Sequence, residues 1–388
     1  MSTKDLFGLY AHTFLSKGII MNILESEHLY AVKKVLISAF FLTQIIACTN
    51  NNSAANPNSS EDNAIYAYVA AGSEFKVIDI QNPTTPALLS TTATDSSFLV
   101  ETFPFGAIVP SFSQFGNTYL DTISTFDPSN TVAQNFPSGV PFLRVTDMYY
   151  DNDHIFIGDE YRGLHVFDVN NFSLEVSILE YDTMSFTKLN DDMYIIHQDG
   201  GVNFSGLQKY DFTNISIPQL IASNANDIDA TSYPTEERTH HSWIEHDDSF
   251  LYVANLTDKK LKKIDPTNLA VLAELNIQGH VTSLAIEDGY AYITVQPHAS
   301  EPTLLTGDDA IKVIDLATMT LVDSIDLTEA SGVAVLNDYV YVVDSNALHI
   351  YNTASGILTL VVSYADGAGM DIALGKKVQL DPFSFSFG

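Results

Sequence analysis

Five side chains capable of acid–base, ligand-binding or metal chemistry recur at one distance from a strand-like aromatic. Counting back 12 residues from Phe156, Tyr194, Tyr252, Tyr292 and Tyr341 gives Arg144, Asp182, His240, His280 and Glu329. Three residues beyond those aromatics stand Asp159, His197, Asn255 and Asp344, with Val295 breaking the pattern. Imidazole together with carboxylate is a donor set that suits zinc. Carboxylates alone suit calcium, a hard cation that collects oxygen ligands. The arginine fits neither ion, so the competing expectation is a polar mouth without a metal. On either reading Arg144, Asp182, His240, His280, Glu329, His197 and Asp159 line one opening, where a hydrated histidine titrates near neutrality. His240 and His241 beside Trp243 form the most unusual local cluster, although Trp243 opens a strand and packs between sheets on the simpler reading. Several catalytic patterns are missing: there is no G-x-S-x-G elbow, H-E-x-x-H helix, P-loop, EF-hand loop or C-x-x-C pair.

The elements that must position these residues are strands. Period-two alternation rich in Val, Ile, Tyr and Phe dominates from Ala64 onward, without a sustained helical stripe. One unit recurs: a strand carrying aromatic-Val/Ile, a loop, then a strand ending apolar-Asp-apolar. Examples are IFIGDEYRGLHVFDV at 155–169, LYVANLTDKKLKKID at 251–265 and VYVVDSNALHIYN at 340–352. The polar residue that closes the second strand falls at Asp79, Asp127, Asp168, Asp211, Asp265, Asp315 and Asn352, in steps of 48, 41, 43, 54, 50 and 37 residues. That spacing matches four short antiparallel strands per unit, and seven copies predict an all-β, seven-bladed β-propeller. Polar turns at 151–153, 190–192, 247–248, 288–289 and 337–338 are hairpin corners in which Asn, Asp and Gly tolerate positive φ. The repeated aspartates precede turns, so capping turn amides is their expected task. The first copy lacks an inner strand and the C-terminus supplies a surplus one at 369–378, which predicts closure by pairing the C-terminal strand into blade one.

The segment KVIDI at 76–80, followed by QNPTTP, resembles the LVIVD-repeat proteins, a group of secreted bacterial propellers related to YVTN-type surface propellers. The resemblance covers Ala64 to about Leu380. It implies the propeller fold and leaves the activity open, because such folds host binding proteins, lactonases and scaffolds alike.

The first 63 residues read as a targeting segment. Lys33 and Lys34 precede a mostly apolar 35–47 stretch too short to span a bilayer, and Ala47-Cys48 resembles a bacterial lipobox. Residues 1–47 are expected to be a signal peptide, with Met21 as an alternative start. Cys48 is then the lipidated residue, and 48–63 a polar tether for the single propeller domain of 64–388. Thr49 in place of Asp favours an outer-membrane lipoprotein, facing the periplasm or the surface. Formal net charge is −31; from residue 49 onward 13 basic groups face 45 acidic ones. A field of that sign repels nucleic acid, so the membrane through the lipid anchor and an unknown protein, peptide or glycan are the expected partners of a monomer. The long connections 94–106, 198–206, 224–239 and 297–309 share one face of a propeller, which places the function there. Non-catalytic binding is the first expectation; a metal-dependent, lactonase-like hydrolase using Ca or Zn in the central funnel is the second.

Overall fold

The computed structural model describes residues 65–376, except 104–105, 113–117, 125–126, 136–140, 152, 179–181, 199–205, 229–232, 235–238, 241, 256–257 and 298–308. Cys48, the apolar stretch before it and the polar tether lie outside the described residues.

Alternation writes the architecture. Each strand pairs antiparallel with the next, and five separate sheets of four strands follow one another along the chain. The second sheet holds Val145–Asp151, His154–Asp159, Gly163–Asp168 and Leu174–Ile178. The third sheet runs from Asp182–Leu189 to Gln219–Asn224, and the fourth from Trp243–His246 to Val271–Asn276. The fifth begins with His280–Glu287 and the sixth with Gly332–Leu336. In each, the first strand in sequence is one edge and the fourth is the other. The first sheet is larger: eight strands, in which Ala87–Ser97 meets Gly106–Phe112 through a single residue pair, Ser97 with Ser111. A separate two-residue hairpin pairs Tyr233–Pro234 with Thr239–His240.

The C-terminal strand is where the surplus predicted it. Asp371–Lys376 pairs antiparallel with Ile65–Ala70 in continuous register from Ile65–Lys376 to Ala70–Asp371. Glycine makes this seam possible: a Cβ at Gly369 would come within 2.2 Å of Val69 Cγ1, and one at Gly375 within 2.7 Å of the Tyr68 ring.

The core lies between sheets. One cluster joins Phe156 and Val166 of the second sheet to Phe186 and Ile195 of the third; another joins Tyr252 of the fourth to Val281 and Ile293 of the fifth. Val69 and Ile372 of the first sheet pack with Tyr341 and Ile350 of the sixth, so the series closes on itself. Full burial of such a side chain contributes about 1.5–3 kcal/mol, and the aromatic at the centre of most second strands (Tyr68, Phe156, Tyr194, Tyr252, Tyr292) is almost wholly enclosed.

The turn aspartates do the predicted work. Asp79, Asp127, Asp168, Asp211, Asp265 and Asp315 each accept, through Oδ1, the amide two residues ahead, at 2.7–3.1 Å. Asn190, Asp288 and Asn337 take positive φ at the hairpin corners.

Candidate functional site

Antiparallel order places the start of each first strand and the loop between second and third strands at one end of the array. Asp182 and His280 open their strands there, opposite Gln198 and Gln296. Arg144 directly precedes Val145–Asp151, Glu329 lies three residues before Gly332–Leu336, and His240 closes the small hairpin just before Trp243. The chain therefore brings these positions to one end, but their side chains are committed differently. Asp159 is fully buried and its Oδ2 accepts the amides of Leu143 (2.7 Å) and Arg144 (3.3 Å), while Oδ1 accepts that of Tyr161 (2.9 Å). It holds a turn. Arg144 donates to Glu160 at 3.2 Å. His197 is fully buried instead of hydrated, and burial pushes its imidazole down to about 3. The expectation of a histidine titrating near neutrality therefore fails at that position: desolvation disfavours the imidazolium. His280 is also buried, and Glu329 is exposed. No three His, Cys, Asp or Glu side chains among the described residues group so as to hold a metal ion.

A different set of residues converges. The first strands of the sheets surround a cavity of about 380 Å³. Its wall carries Glu101, Asp147, Glu245 and Asp371, and no Lys, Arg or His among the described residues. Sequence reading missed all four. Glu101 fell inside a stretch, 94–106, expected to be a loop; in fact Ala87–Ser97 runs on to Ser97 and Glu101–Phe103 is a strand paired with Gly106–Phe112. Asp147 follows a bulge between Val145 and Asp147, and equivalent bulges lie at 183–185 and 281–283. The extra residue turns the strand and re-aims the side chains after it, so the set counted back 12 residues stops at the strand mouth.

Asp147 and Glu245 are each held from the third sheet. Asp147 Oδ2 accepts the Ser185 hydroxyl at 2.7 Å and the Phe186 amide at 3.0 Å; Ser185 Oγ in turn accepts the Ile244 amide at 3.3 Å. The Val100 amide donates to Asp371 Oδ2 at 3.0 Å, and the Thr187 hydroxyl bonds Glu245. These bonds fix the carboxyls in place without neutralising them. Burial raises Asp147 to about 7 and Glu245 to about 8, with each other's charge adding to the rise for Glu245. Burial likewise raises Glu101 well above the ordinary glutamate range, assisted by Asp147, Asp371 and Glu245. Perturbation of this kind clusters at functional sites.

The same wall contains Trp243, partly buried and packed against two core clusters. Aliphatic side chains, among them Leu284, Ile286, Val333 and Ile372, supply much of the rest.

The LVIVD repeat profile matches residues 64–94, 278–298 and 328–351, so the chain carries LVIVD repeats. No curated protein matches it. Among solved structures it is similar to a candidate 6-phosphogluconolactonase from Bacteroides uniformis: TM-score 0.61, 10% identity, 81% of this chain and 99% of that one. A candidate enzyme of the same description from Bacteroides fragilis gives 0.60 at 12% identity, covering 82% of this chain and 100% of that one. A protein from Lactobacillus plantarum gives 0.59 at 12%, covering 80% and 99%. At such identities the likeness establishes an all-β, propeller-like fold and nothing of activity.

Proposed function

We propose that this chain is a non-catalytic binding propeller of the cell envelope whose site is the acidic central cavity and whose ligands are positively charged. The carrying observation is the convergence of Glu101, Asp147, Glu245 and Asp371 on one cavity, with no basic residue in its wall among the described residues. Four acids so arranged attract a cation and repel anions.

Seven blades fit this reading. The eight-stranded sheet divides at its single-pair contact into two groups of four strands, and Tyr68 and Val77 of one group pack against Ala107 and Ile123 of the other. Counted so, it contributes two blades beside the five separate sheets. A lipidated Cys48 anchors the chain in the outer membrane on this reading. The loop-rich end, with Arg144, Asp182, His240, His280 and Glu329, frames the approach for a protein, peptide or glycan on this reading.

The rival is a lactonase-like hydrolase, prompted by the names of the structural neighbours. A substrate bearing phosphate would meet four acids in this cavity and no counter-charge among the described residues. Thermal stability of the purified full-length protein at pH 8, with millimolar amines, calcium or zinc on one side and 6-phosphogluconate on the other, decides between them. Stabilisation by a cation alone is the expected result; stabilisation by the sugar phosphate, or turnover of its lactone, overturns the proposal. Anchoring has its own check. Cys48→Ala should release the protein from membranes with its fold intact, and an intact mass showing an unmodified Cys48 in the native protein refutes the lipid anchor.

A further inference from the structure

The cavity wall distinguishes among cations. A bare divalent ion needs several oxygens brought within about 2.5 Å of one point. Here the hydrogen bonds to Ser185, Phe186 and Val100 hold Asp147 and Asp371 on separate strands, and no three described carboxylates or imidazoles group around a centre. A wall that is part acidic and part aliphatic, with one indole, instead complements a cation carrying its own hydrocarbon. Indole faces attract ammonium groups, aliphatic walls shed water onto alkyl chains, and dispersed carboxylates accept several N–H donors or surround a quaternary centre.

A second observation points to the same ligand. Ser283 lines the cavity at only 5% exposure, and its hydroxyl makes no hydrogen bond among the described residues. Buried hydroxyls are ordinarily partnered; this one belongs to a residue of the cavity wall. We propose that the cavity is a binding site for an organic ammonium ion, seated between Trp243 and the aliphatic wall, with its charge toward Glu245 and Asp147 and its polar contact at Ser283. This rests on the cationic reading above and narrows it.

Affinity then depends on the protonation of the wall. The titratable groups facing the cavity are Glu101, Asp147, Glu245 and Asp371, with Tyr149 beside Glu101 and Glu245. Burial pushes Tyr149 up to about 12, so it stays neutral. Tetramethylammonium carries a fixed charge, so any pH dependence of its binding reports the protein alone.

The test uses the chain's one tryptophan, which stands in the cavity wall. Trp243 emission of the full-length protein is titrated at pH 8 with tetramethylammonium and with 1,4-diaminobutane. Calcium chloride, and sodium chloride at matched ionic strength, are run beside them, with calorimetry in parallel so that a silent indole cannot hide binding. Saturable binding of an organic ammonium ion is expected, at least tenfold weaker at pH 5 and about tenfold weaker in Glu245→Gln, with Asp147→Asn as a second variant should the first fail to fold. Saturation by calcium alone overturns the ammonium proposal while leaving a cation-binding propeller. Binding of no cation overturns both. Ammonium binding indifferent to both variants places the ligand elsewhere and overturns the site.

Discussion

Aspartate does two opposed jobs in this molecule, and position in the sheet decides which. At the turn into each fourth strand, Asp79, Asp168, Asp265 and their equivalents accept nearby amides, and Asp211 and Asp315 are held below the ordinary aspartate range by those bonds. Along the first strands, burial raises Asp147 to about 7 in spite of its hydrogen bonds, and the charge of Asp371 adds to the rise. Repetition marks the first group: the same residue recurs because every unit must make the same turn. The second group repeats only once. Position by position, Asp147 corresponds to Asp371, each facing the residue two past an aromatic (Phe156 and Tyr68), but also to Ser185 and Ser283, so an acid there is not required by the architecture. Recurrence in this fold therefore reports architecture, and departures from it report the site.

The severest way to break that contrast is to remove one wall of the cavity. Ending the chain at residue 368 deletes Asp371 and the strand paired with Ile65–Ala70, leaving an unpaired edge that invites association. Aggregation on size-exclusion chromatography is the expected outcome; a monomer with unchanged melting would disprove the closing role.

A subtler variant sharpens the contrast. Glu101, Asp147 and Glu245 hold their protons more tightly folded than unfolded. The folded state therefore binds more protons from about pH 4 upward, and this contribution to stability, complete below the unfolded carboxyl range, is lost as pH rises through 7 to 8. Glu245→Gln removes one charge from the group and should raise the melting temperature at pH 8 by roughly 2–4 °C, an effect of about 1 kcal/mol, with little change at pH 4. A variant that lowers it at pH 8 would show that the charge is compensated.

The turn aspartates should respond in the other direction. Asp265→Ala leaves the Thr267 amide without its 2.7 Å acceptor and should cost about 1 kcal/mol in denaturant unfolding at pH 7. Smallest of all is Glu329→Ala: its exposed side chain lies at the loop-rich end, and a change within about 0.5 kcal/mol is expected. A larger loss would mean that the residue packs more than its exposure indicates.

The sequence made the strands, the hairpin corners, the turn aspartates and the closing strand legible because each rests on a local rule repeated several times. Alternation fixes which face is buried, and Asx chemistry fixes the corners. The cavity was illegible for the opposite reason. Glu101, Glu245 and Asp371 come from strands far apart in the chain, and only the closed array brings them together. Bulges at 145–147, 183–185 and 281–283 add a residue that no fixed count anticipates. His197 illustrates a further limit: spacing located it, but spacing carries no information about desolvation, and burial turned an expected titrating group into a neutral one.

The pairing of Asp371–Lys376 with Ile65–Ala70 also sets the order of events in making the protein. These strands lie about three hundred positions apart, so their contact carries one of the largest loop-closure costs in the chain and forms only after intervening sheets have shortened the effective loop. The strand at 371–376 is also synthesised after every other described strand. Until it arrives, Ile65–Ala70 presents a free edge, and the nascent chain must pass this interval without pairing it to a neighbour. Folding from the middle outward, with the seam last, is the kinetic counterpart of a ring fastened by its own tail.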